Sequence, residues 1–341
     1  MPSALIRRSR AWVPLSVQGN SGLYVIGAVE PVPFVNTGPN GIWAVDHKAV
    51  NLLTPMYGDQ VFSTPGQTIV NRDIFGSVTI KAANVTLSGC KVRGYVLGTL
   101  PGGAHSSPPT ASTGLVNTND PNCTNAIIQD CELIPDNPNE AYDAIFARRY
   151  RAWRNTIQHC VDGLGVFDLP GSSANNADVK AYGNHVDLHS WFYPAAGHTN
   201  GSHCDGMQHQ GGNNVDIQGN RFTGLIDPNC PGTNFNPATH AAQWPVTASS
   251  PPYRTNSAFQ FNTNTGAIST GCIYSKNWLG GGGETVNMNV TVHIDDFSFN
   301  IFDENSGFGN STAFVTLKAS SFGRVTGNKF RSGAACNPKF V

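Results

Sequence analysis

An eight-residue motif decides the fold, and its clearest copies are Val215-Asp216-Ile217-Gln218-Gly219-Asn220-Arg221-Phe222 and Gly323-Arg324-Val325-Thr326-Gly327-Asn328-Lys329-Phe330. In the first copy, apolar residues two positions apart place one face of a strand against a core. The Gly-Asn pair then supplies a sharp bend, because both residues tolerate left-handed backbone angles at little cost. The next apolar residue points inward again, so the motif predicts a strand, a corner and the start of another strand.

The motif recurs along the chain at irregular intervals. Two further good copies are residues 85–92 and 179–186, and the predicted corners are Cys90, Cys131, Asn155, Asn184, Asn220, Asn277, Phe297 and Asn328. The steps between corners vary widely but have a floor near 20 residues. This spacing favours a parallel β-helix, in which coils stack about 4.8 Å apart and excess residues leave as surface loops. A β-sandwich, which also has many short strands, is the alternative.

A second strand precedes most copies of the motif, so the sequence predicts eight coils. These strands are expected at residues 77–80, 115–117, 143–146, 162–167, 205–208, 257–261, 285–288 and 313–317. Parallel crossovers are right-handed as a rule, so we expect a right-handed winding. The stacked coils should place Val85, Val179, Val215 and Val292 along a common inner wall.

Composition agrees with an all-β chain and excludes several classes of protein. The 341 residues include 37 Gly and 22 Pro, and 39% are hydrophobic, which is enough to build a core. The 21 Lys and Arg balance 22 Asp and Glu, which argues against a nucleic-acid binder. No apolar run approaches the ~20 residues that span a bilayer, so no membrane insertion is predicted. The eight cysteines form no CxxC pair, and we expect mostly buried, reduced thiols, with disulfides as the alternative.

Three stretches of the chain resemble a known group of proteins. They are Thr64-Pro65-Gly66-Gln67-Thr68-Ile69-Val70-Asn71-Arg72-Asp73-Ile74-Phe75-Gly76 with the following residues 77–86, His203-Cys204-Asp205-Gly206-Met207-Gln208, and Asn277-Trp278-Leu279-Gly280-Gly281-Gly282. Together they resemble pectate-lyase-like right-handed parallel β-helix proteins of actinobacteria and their bacteriophages, over roughly residues 36–330. The resemblance implies an all-β, single-stranded right-handed parallel β-helix (a solenoid) with long surface loops.

For function, the resemblance implies a bacteriophage minor tail protein or tail spike that contacts host cell-surface glycans. The alternative is a polysaccharide-degrading lyase or glycoside hydrolase on the same scaffold. No apolar signal segment follows the basic residues near Met1, which favours a virion tail protein assembled in the host cytoplasm over a secreted enzyme. Residues 1–45 would be an attachment or capping segment and residues 46–341 the β-helix. The expected partners are other tail proteins and host envelope polysaccharide, and tail spikes suggest a homotrimer.

Three second strands in neighbouring coils begin with aspartate, at Asp143, Asp162 and Asp205. Adjacent carboxylates would lie ~5 Å apart, close to the ~5–5.5 Å of retaining glycosidases. Their mutual repulsion should raise at least one pKa and so supply a proton donor. The same row could hold Ca²⁺; otherwise no cofactor is expected. Strand parity favours a third interpretation, in which the aspartates point inward and accept backbone N–H bonds.

The loop at residues 190–203 supplies candidate substrate-binding residues. It carries aromatic side chains and leads into a strand with outward-pointing Gln208, so we predict that Trp191, Tyr193, His203, Gln208 and His209 bind a glycan. A histidine near a carboxylate could also act as a general base. Alternatively, the aromatic residues of such a loop simply pack the loop against the rod. No spacing typical of a metal site supports the histidines as ligands.

Overall fold

The structure is a computed structural model that describes residues 4–8, 11–15, 53–104, 106–167, 176–195, 198–199, 201–233, 235–236, 238, 255–262, 268–288, 293–303, 314–315 and 322–336. Most of the predicted attachment segment, residues 1–45, therefore lies outside the described residues, and so does Val292. Within that segment, β1 (Ala4–Arg8) and β2 (Ala11–Leu15) form an antiparallel pair. The boundary at residue 45 stays a prediction.

All the other described strands belong to three parallel sheets, and each coil contributes one strand to each sheet. Sheet 1 consists of β4 (Gln60–Phe62), β7 (Val78–Ile80), β10 (Thr113–Asn117), β13 (Tyr142–Phe146), β16 (Asp162–Phe167), β19 (Asp205–Gln210), β22 (Ser257–Asn262), β25 (Val286–Met288) and β28 (Phe314–Val315). Sheet 2 consists of β5 (Thr68–Val70), β8 (Thr86–Ser88), β11 (Ala126–Gln129), β14 (Tyr150–Trp153), β17 (Asn176–Tyr182), β20 (Asn213–Gln218), β23 (Cys272–Ser275), β26 (Ile294–Ser298) and β29 (Phe322–Thr326).

Sheet 3 is built mainly from two-residue strands. It consists of β3 (Thr54–Tyr57), β6 (Arg72–Phe75), β9 (Lys91–Val92), β12 (Glu132–Leu133), β15 (Thr156–Ile157), β18 (His185–Val186), β21 (Arg221–Phe222), β24 (Trp278–Leu279), β27 (Ile301–Phe302) and β30 (Lys329–Phe330). In all three sheets, hydrogen-bonded neighbours are three strands apart in the chain. That order is the topology of a parallel β-helix, so the predicted fold class is confirmed, and parallel crossovers of this kind wind right-handed.

The eight predicted second strands all appear in sheet 1, with small differences at their ends. The structure adds one coil before them, formed by β4, β5 and β6. Inside the coils, apolar side chains from all three sheets form one continuous core cluster. Val85, Val179 and Val215 are fully buried in that core, and Val179 pairs with Val215 across adjacent coils. The common inner wall is therefore confirmed for the described valines.

A ladder of buried asparagines runs along the corner between sheets 2 and 3. The side-chain Oδ1 of Asn184 accepts hydrogen bonds from the backbone N–H of Asn155 (3.0 Å) and from its Nδ2 (2.9 Å). Asn184 Nδ2 in turn donates to Ala152 O (2.9 Å) and to Asn220 Oδ1 (2.8 Å). The same pattern continues to Asn328, and Cys131 and Cys90 extend the column in the opposite direction. Each corner thereby satisfies polar groups that are buried away from water.

One predicted corner was placed three residues too early. Phe297 is a buried core residue of β26, and the ladder passes instead through Asn300, whose Oδ1 accepts the N–H of Asn277 at 3.0 Å. The residue before each ladder position has a positive φ, and here it is Phe299 with φ 58°. Glycine and asparagine favour that geometry and a bulky residue does not, so the sequence pattern at this corner is hidden.

The eight cysteines are all buried and form no disulfide. They behave as small apolar side chains, as predicted. Among the described residues, no helix is long and apolar enough to cross a membrane.

Candidate active site

The three aspartates at the start of β13, β16 and β19 stack in neighbouring coils. Asp143 lies opposite Asp162 in the register of sheet 1. Asp205 continues the row, and its backbone N–H donates a 2.7 Å hydrogen bond to Asp162 Oδ1. In the next coil Asp205 lies opposite Ser257. The row is thus formed by the register of the coils, with about 4.8 Å between adjacent strands.

A cavity of about 400 Å³ opens on the outer face of sheet 1. Asp143 and Asp162 both contribute to its lining. The other lining residues are Ser112, Glu140, Phe146, Val161, Phe167, Ala195, His198, Ser202, His203, Gln208, Gln210, Gln260 and Asn262. The volume falls in the ~300–1,000 Å³ range of ordinary ligand sites.

Strand parity favoured aspartates that point inward and accept backbone N–H bonds. Asp162 does accept such a bond, and both aspartates are buried, but Asp143 and Asp162 also line the cavity. The residue that directly follows each aspartate in the chain is small because it faces sheet 3. After Asp162 this residue is Gly163, and a Cβ there would lie 2.5 Å from Val186 Cγ1. The residue after that glycine, Leu164, is also a core residue. Two consecutive inward residues require a bend in the chain, so the preceding aspartate lies at the outer edge of the corner.

Amide and aromatic side chains form much of the cavity lining. Gln208 and Gln260 are neighbours in the register, and Gln208 Nε2 donates to Gln260 Oε1 at 3.2 Å. The rings of Phe146 and Phe167 lie 4.9 Å apart, centroid to centroid. Amides can both donate to and accept from a hydroxyl group, and aromatic rings offer a flat apolar surface. The cavity therefore combines apolar contact with several polar groups, as ligand sites do.

The carboxyl groups of Asp143 and Asp162 have pKa values well above the ordinary range. Burial is the main cause for both, because it disfavours the charged form. The charge of Asp205 raises the pKa of Asp143 further, and the charges of Asp143 and Asp205 raise the pKa of Asp162 further, while the N–H of Asp205 lowers it. Both carboxyl groups of the stacked pair thus favour the protonated form, and the N–H of Asp205 is the one group that favours the ionised form of Asp162.

Asp205 is fully buried and does not line the cavity. Its Oδ1 accepts hydrogen bonds from Asn256 Nδ2 (2.9 Å) and from the Ser257 hydroxyl, while Oδ2 has no partner among the described residues. Burial raises the pKa of Asp205 to about 7, although the bonds from Ser257 and Asn256 lower it. In this position Asp205 acts on the cavity through its neighbour Asp162, to which its N–H is hydrogen-bonded.

Two histidines of the loop after β18 line the cavity. The rings of His198 and His203 stack with centroids 4.1 Å apart. Burial lowers the pKa of His203, and the neighbouring His198 lowers it further. His203 Nε2 has no hydrogen-bond partner among the described residues. A neutral His203 can therefore present a polar nitrogen to a bound ligand.

Three predicted substrate-binding residues lie away from the cavity. His209 is buried in the core, where Nδ1 lies 2.6 Å from the Tyr274 hydroxyl, because it alternates with outward-facing Gln208. Trp191 is fully buried in a second apolar cluster beneath its loop, and Tyr193 stacks on it at 6.0 Å. These aromatic residues pack the loop down, the alternative that the sequence had left open.

Several lining residues were missed by sequence reasoning. One of them is Phe146, which lies in the same outward-facing row across the coils as Gln208. Three others, Phe167, Gln210 and Asn262, lie in the next outward-facing row along the strands. Continued alternation along the strands of sheet 1 would have found them. Glu140 precedes its strand and carries no such signal. Within the described part of the chain, no group of three or more His, Cys, Asp or Glu side chains is placed to hold a metal ion.

Comparison with known proteins identifies no family for this chain. No protein-family profile matches it, and no curated protein matches it. Among solved structures, the chain is similar to a trypsin-treated variant of QnrB1, described as a plasmid-mediated fluoroquinolone resistance protein. The two share 12% identity over 82% of this chain and 90% of that one, with a TM-score of 0.27. Similarity at that level carries no argument about function.

Proposed function

We propose that this protein binds a polysaccharide in the cavity on sheet 1 and cleaves a glycosidic bond there. The observation that carries the proposal is the stacked pair Asp143 and Asp162, which lines a cavity also formed by amide and aromatic side chains. Glycosidases use two carboxyl groups on either side of the scissile bond, ~5–5.5 Å apart in retaining enzymes. Adjacent coils are about 4.8 Å apart, which is close to that separation.

The two carboxyl groups differ in the roles that they can play. Asp162 Oδ1 accepts the N–H of Asp205, and a hydrogen bond to the charged form favours ionisation. Burial and neighbouring charges raise the pKa of both carboxyl groups, but no such hydrogen bond acts on the pKa of Asp143. Asp143 is therefore the general acid that protonates the leaving oxygen, and Asp162 is the nucleophile or base.

We further propose that the glycan belongs to a host cell surface and that the protein is a bacteriophage minor tail protein or tail spike. This part rests on the resemblance of the motifs at residues 64–86, 203–208 and 277–282 to pectate-lyase-like β-helix proteins. A secreted enzyme is the alternative setting for the same site. Assembly as a homotrimer, attachment through residues 1–45 and binding of Ca²⁺ stay predictions.

Incubation with actinobacterial envelope polysaccharide tests the proposal. We expect chromatography to detect released oligosaccharides with the unaltered protein. The amount released should be much smaller with Asp143→Asn or Asp162→Asn. Asp120→Asn is a matched control, because Asp120 lies outside the cavity and an amide still accepts the Asn122 N–H. Product that persists in both site variants would move the chemistry elsewhere. If the protein neither releases product from the polysaccharide nor binds it, the proposal has no support.

A further inference from the structure

We infer that Phe146 and Phe167 form a sugar-stacking subsite beside the catalytic pair, which binds the apolar face of a pyranose ring next to the bond that is cleaved. This inference rests on the proposed function and deepens it, because it assigns the residues that select and orient the sugar. It depends on the positions of two aromatic rings and of one glycine.

A glycine makes room for the ring of Phe167. Gly165 lies opposite Gln208 in the register of sheet 1, and Phe146 occupies the same outward-facing row one coil earlier. A Cβ on Gly165 would lie 2.6 Å from Phe167 Cε2 and 3.2 Å from Phe167 Cδ2. The ring of Phe167 therefore folds back over Gly165 and takes the place of a side chain in the row of Phe146.

The two rings form one apolar platform on the outer face of sheet 1. Their centroids are 4.9 Å apart and their planes are inclined by 43°. Phe146 and Phe167 are both partly exposed and line the cavity, whereas Asn117 and Gln208, on either side of them in the row, are polar. Apolar surface that stays exposed in a concave and otherwise polar lining is typical of a binding site.

Hydrogen bonds hold the strand beneath the platform in place. The hydroxyl of Tyr150, which is fully buried, donates from the core to Gly165 O at 2.9 Å. The backbone N–H of Phe167 donates to Ala147 O at 2.9 Å. The rings are thus positioned before a ligand binds, and a phenylalanine has only two side-chain torsions to order, so stacking on the platform costs little conformational entropy.

A pyranose ring matches both the platform and its surroundings. One face of many pyranoses carries only C–H bonds, and the electron-rich face of an aromatic ring attracts such polarised bonds. The hydroxyl groups project from the edge of the sugar, where the amide of Gln208 can donate to them and accept from them. An acyl chain on the same platform would displace water from the neighbouring amide without replacing its hydrogen bonds.

The platform belongs to the same two strands as the catalytic pair. Phe146 follows Asp143 in β13, and Phe167 follows Asp162 in β16. The Cα atoms of Asp143 and Phe146 are at most ~10 Å apart, because each residue of a strand advances the chain by about 3.3 Å. A sugar stacked on the rings is therefore held next to the bond that the aspartates cleave.

Affinity electrophoresis in gels that contain actinobacterial envelope polysaccharide tests the subsite. Phe167→Leu keeps an apolar side chain but removes the aromatic face. We expect it to weaken binding roughly 3–10-fold, the usual contribution of an aromatic contact beyond the area that it buries. Phe167→Tyr keeps the aromatic face and should bind within about twofold of the unaltered protein. Phe299→Leu, at an exposed phenylalanine outside the cavity, is the matched control and should bind like the unaltered protein.

The result with Phe167→Leu separates the inference from the proposed function. Equal binding by this variant and the unaltered protein would overturn the inference, and loss of product release in Asp143→Asn would still support the proposed function. If the unaltered protein neither binds nor cleaves the polysaccharide, both fall. Denaturant unfolding checks that the variant keeps the fold, and Phe146→Leu takes its place in the same comparison if it does not.

Nuclear magnetic resonance gives a second measurement that reports stacking directly. Oligosaccharides obtained from the polysaccharide by partial acid hydrolysis are added to the protein, and the aromatic protons of the protein are saturated selectively. We expect saturation to reach the C–H protons on one face of a pyranose ring, and this transfer should fall strongly in Phe167→Leu and persist in Phe167→Tyr. Transfer that is the same in Phe167→Leu and in the unaltered protein would overturn the assignment of the platform.

Discussion

The backbone N–H of Asp205 donates a 2.7 Å hydrogen bond to Asp162 Oδ1 in the preceding coil. This bond gives two chemically identical residues, Asp143 and Asp162, different environments, because only Asp162 receives it. Without this bond, the three stacked carboxyl groups would titrate as one coupled group, and no proton could be assigned to one particular aspartate. Coil stacking thus provides both the proximity of the carboxyl groups and the difference between them.

The proposed acid and nucleophile should respond differently to the leaving group. Asp143→Asn should slow cleavage of an ordinary glycosidic bond by roughly 10²–10⁴-fold, the usual contribution of general acid catalysis. It should slow an aryl glycoside of the same sugar much less, because an activated leaving group needs no proton. Asp162→Asn should abolish both reactions. Steady-state kinetics on the two substrates measure this, and equal losses for Asp143→Asn on both would contradict its role as the acid.

Asp205→Asn should make the protein less sensitive to pH. The pKa of Asp205 is about 7 in the folded protein against an ordinary 3.8, so the folded state holds a proton that the unfolded state releases between these values. The free energy of unfolding therefore falls as pH rises through this window. The protonated Asp205 contributes on the order of a few kcal/mol to it at low pH, and this contribution is fully lost above pH ~7. The stability of the variant relative to the unaltered protein should increase from pH ~5 to pH ~8. Denaturant unfolding measures this difference in stability. The difference would stay constant with pH if burial of the Asp205 carboxylate cost no free energy.

Asn184→Ala should strongly destabilise the coils. The substitution leaves the N–H and Nδ2 of Asn155, Ala152 O and Asn220 Oδ1 without their bonds to Asn184, all in the interior. Each unsatisfied buried group costs about 1–3 kcal/mol, so we expect a total loss of at least ~3 kcal/mol. Denaturant unfolding should show it, with exposed Asn122→Ala as the control within ~0.5 kcal/mol of the unaltered protein. If Asn184→Ala lowers the free energy of unfolding as little as the control does, water replaces the hydrogen bonds that Asn184 makes in the ladder.

Gly163→Ala should destabilise the corner that orients the aspartates. The added Cβ would meet the Gly206 carbonyl oxygen and lie 2.5 Å from Val186 Cγ1. Overpacking of this kind costs about 1–3 kcal/mol, and relief of the clash should also displace Asp162 and reduce activity. Ala144→Gly, at the equivalent position one coil earlier, is the matched control and should cost only ~0.5–1 kcal/mol. If Gly163→Ala is as stable and as active as Ala144→Gly, the bend does not orient the row.

Local chemistry explains which features of the fold were predictable. The corners at Asn184 and Asn220 follow a glycine with a positive φ, and a Gly-Asn pair is visible in any sequence. The corner at Asn300 follows Phe299, whose φ of 58° is imposed by the stacked coils and not by its own preference, so it was misplaced. The strands of sheet 3 were predicted only as the start of a strand after each corner, because strands of two residues are too short for any alternation to appear.

The sequence by itself determined the repeating coil, the column of asparagines and the presence of three aspartates in register, because each follows from a short local motif that recurs along the chain. Only the tertiary structure decided that Asp143 and Asp162 reach a cavity, that Asp205 stays beneath the surface and that His209 joins the core. The physical reason is that side-chain direction at a bend is set by contacts between coils and sheets. Val186, which leaves room for no side chain at Gly163, lies in a different sheet, and no pattern within either strand records that contact.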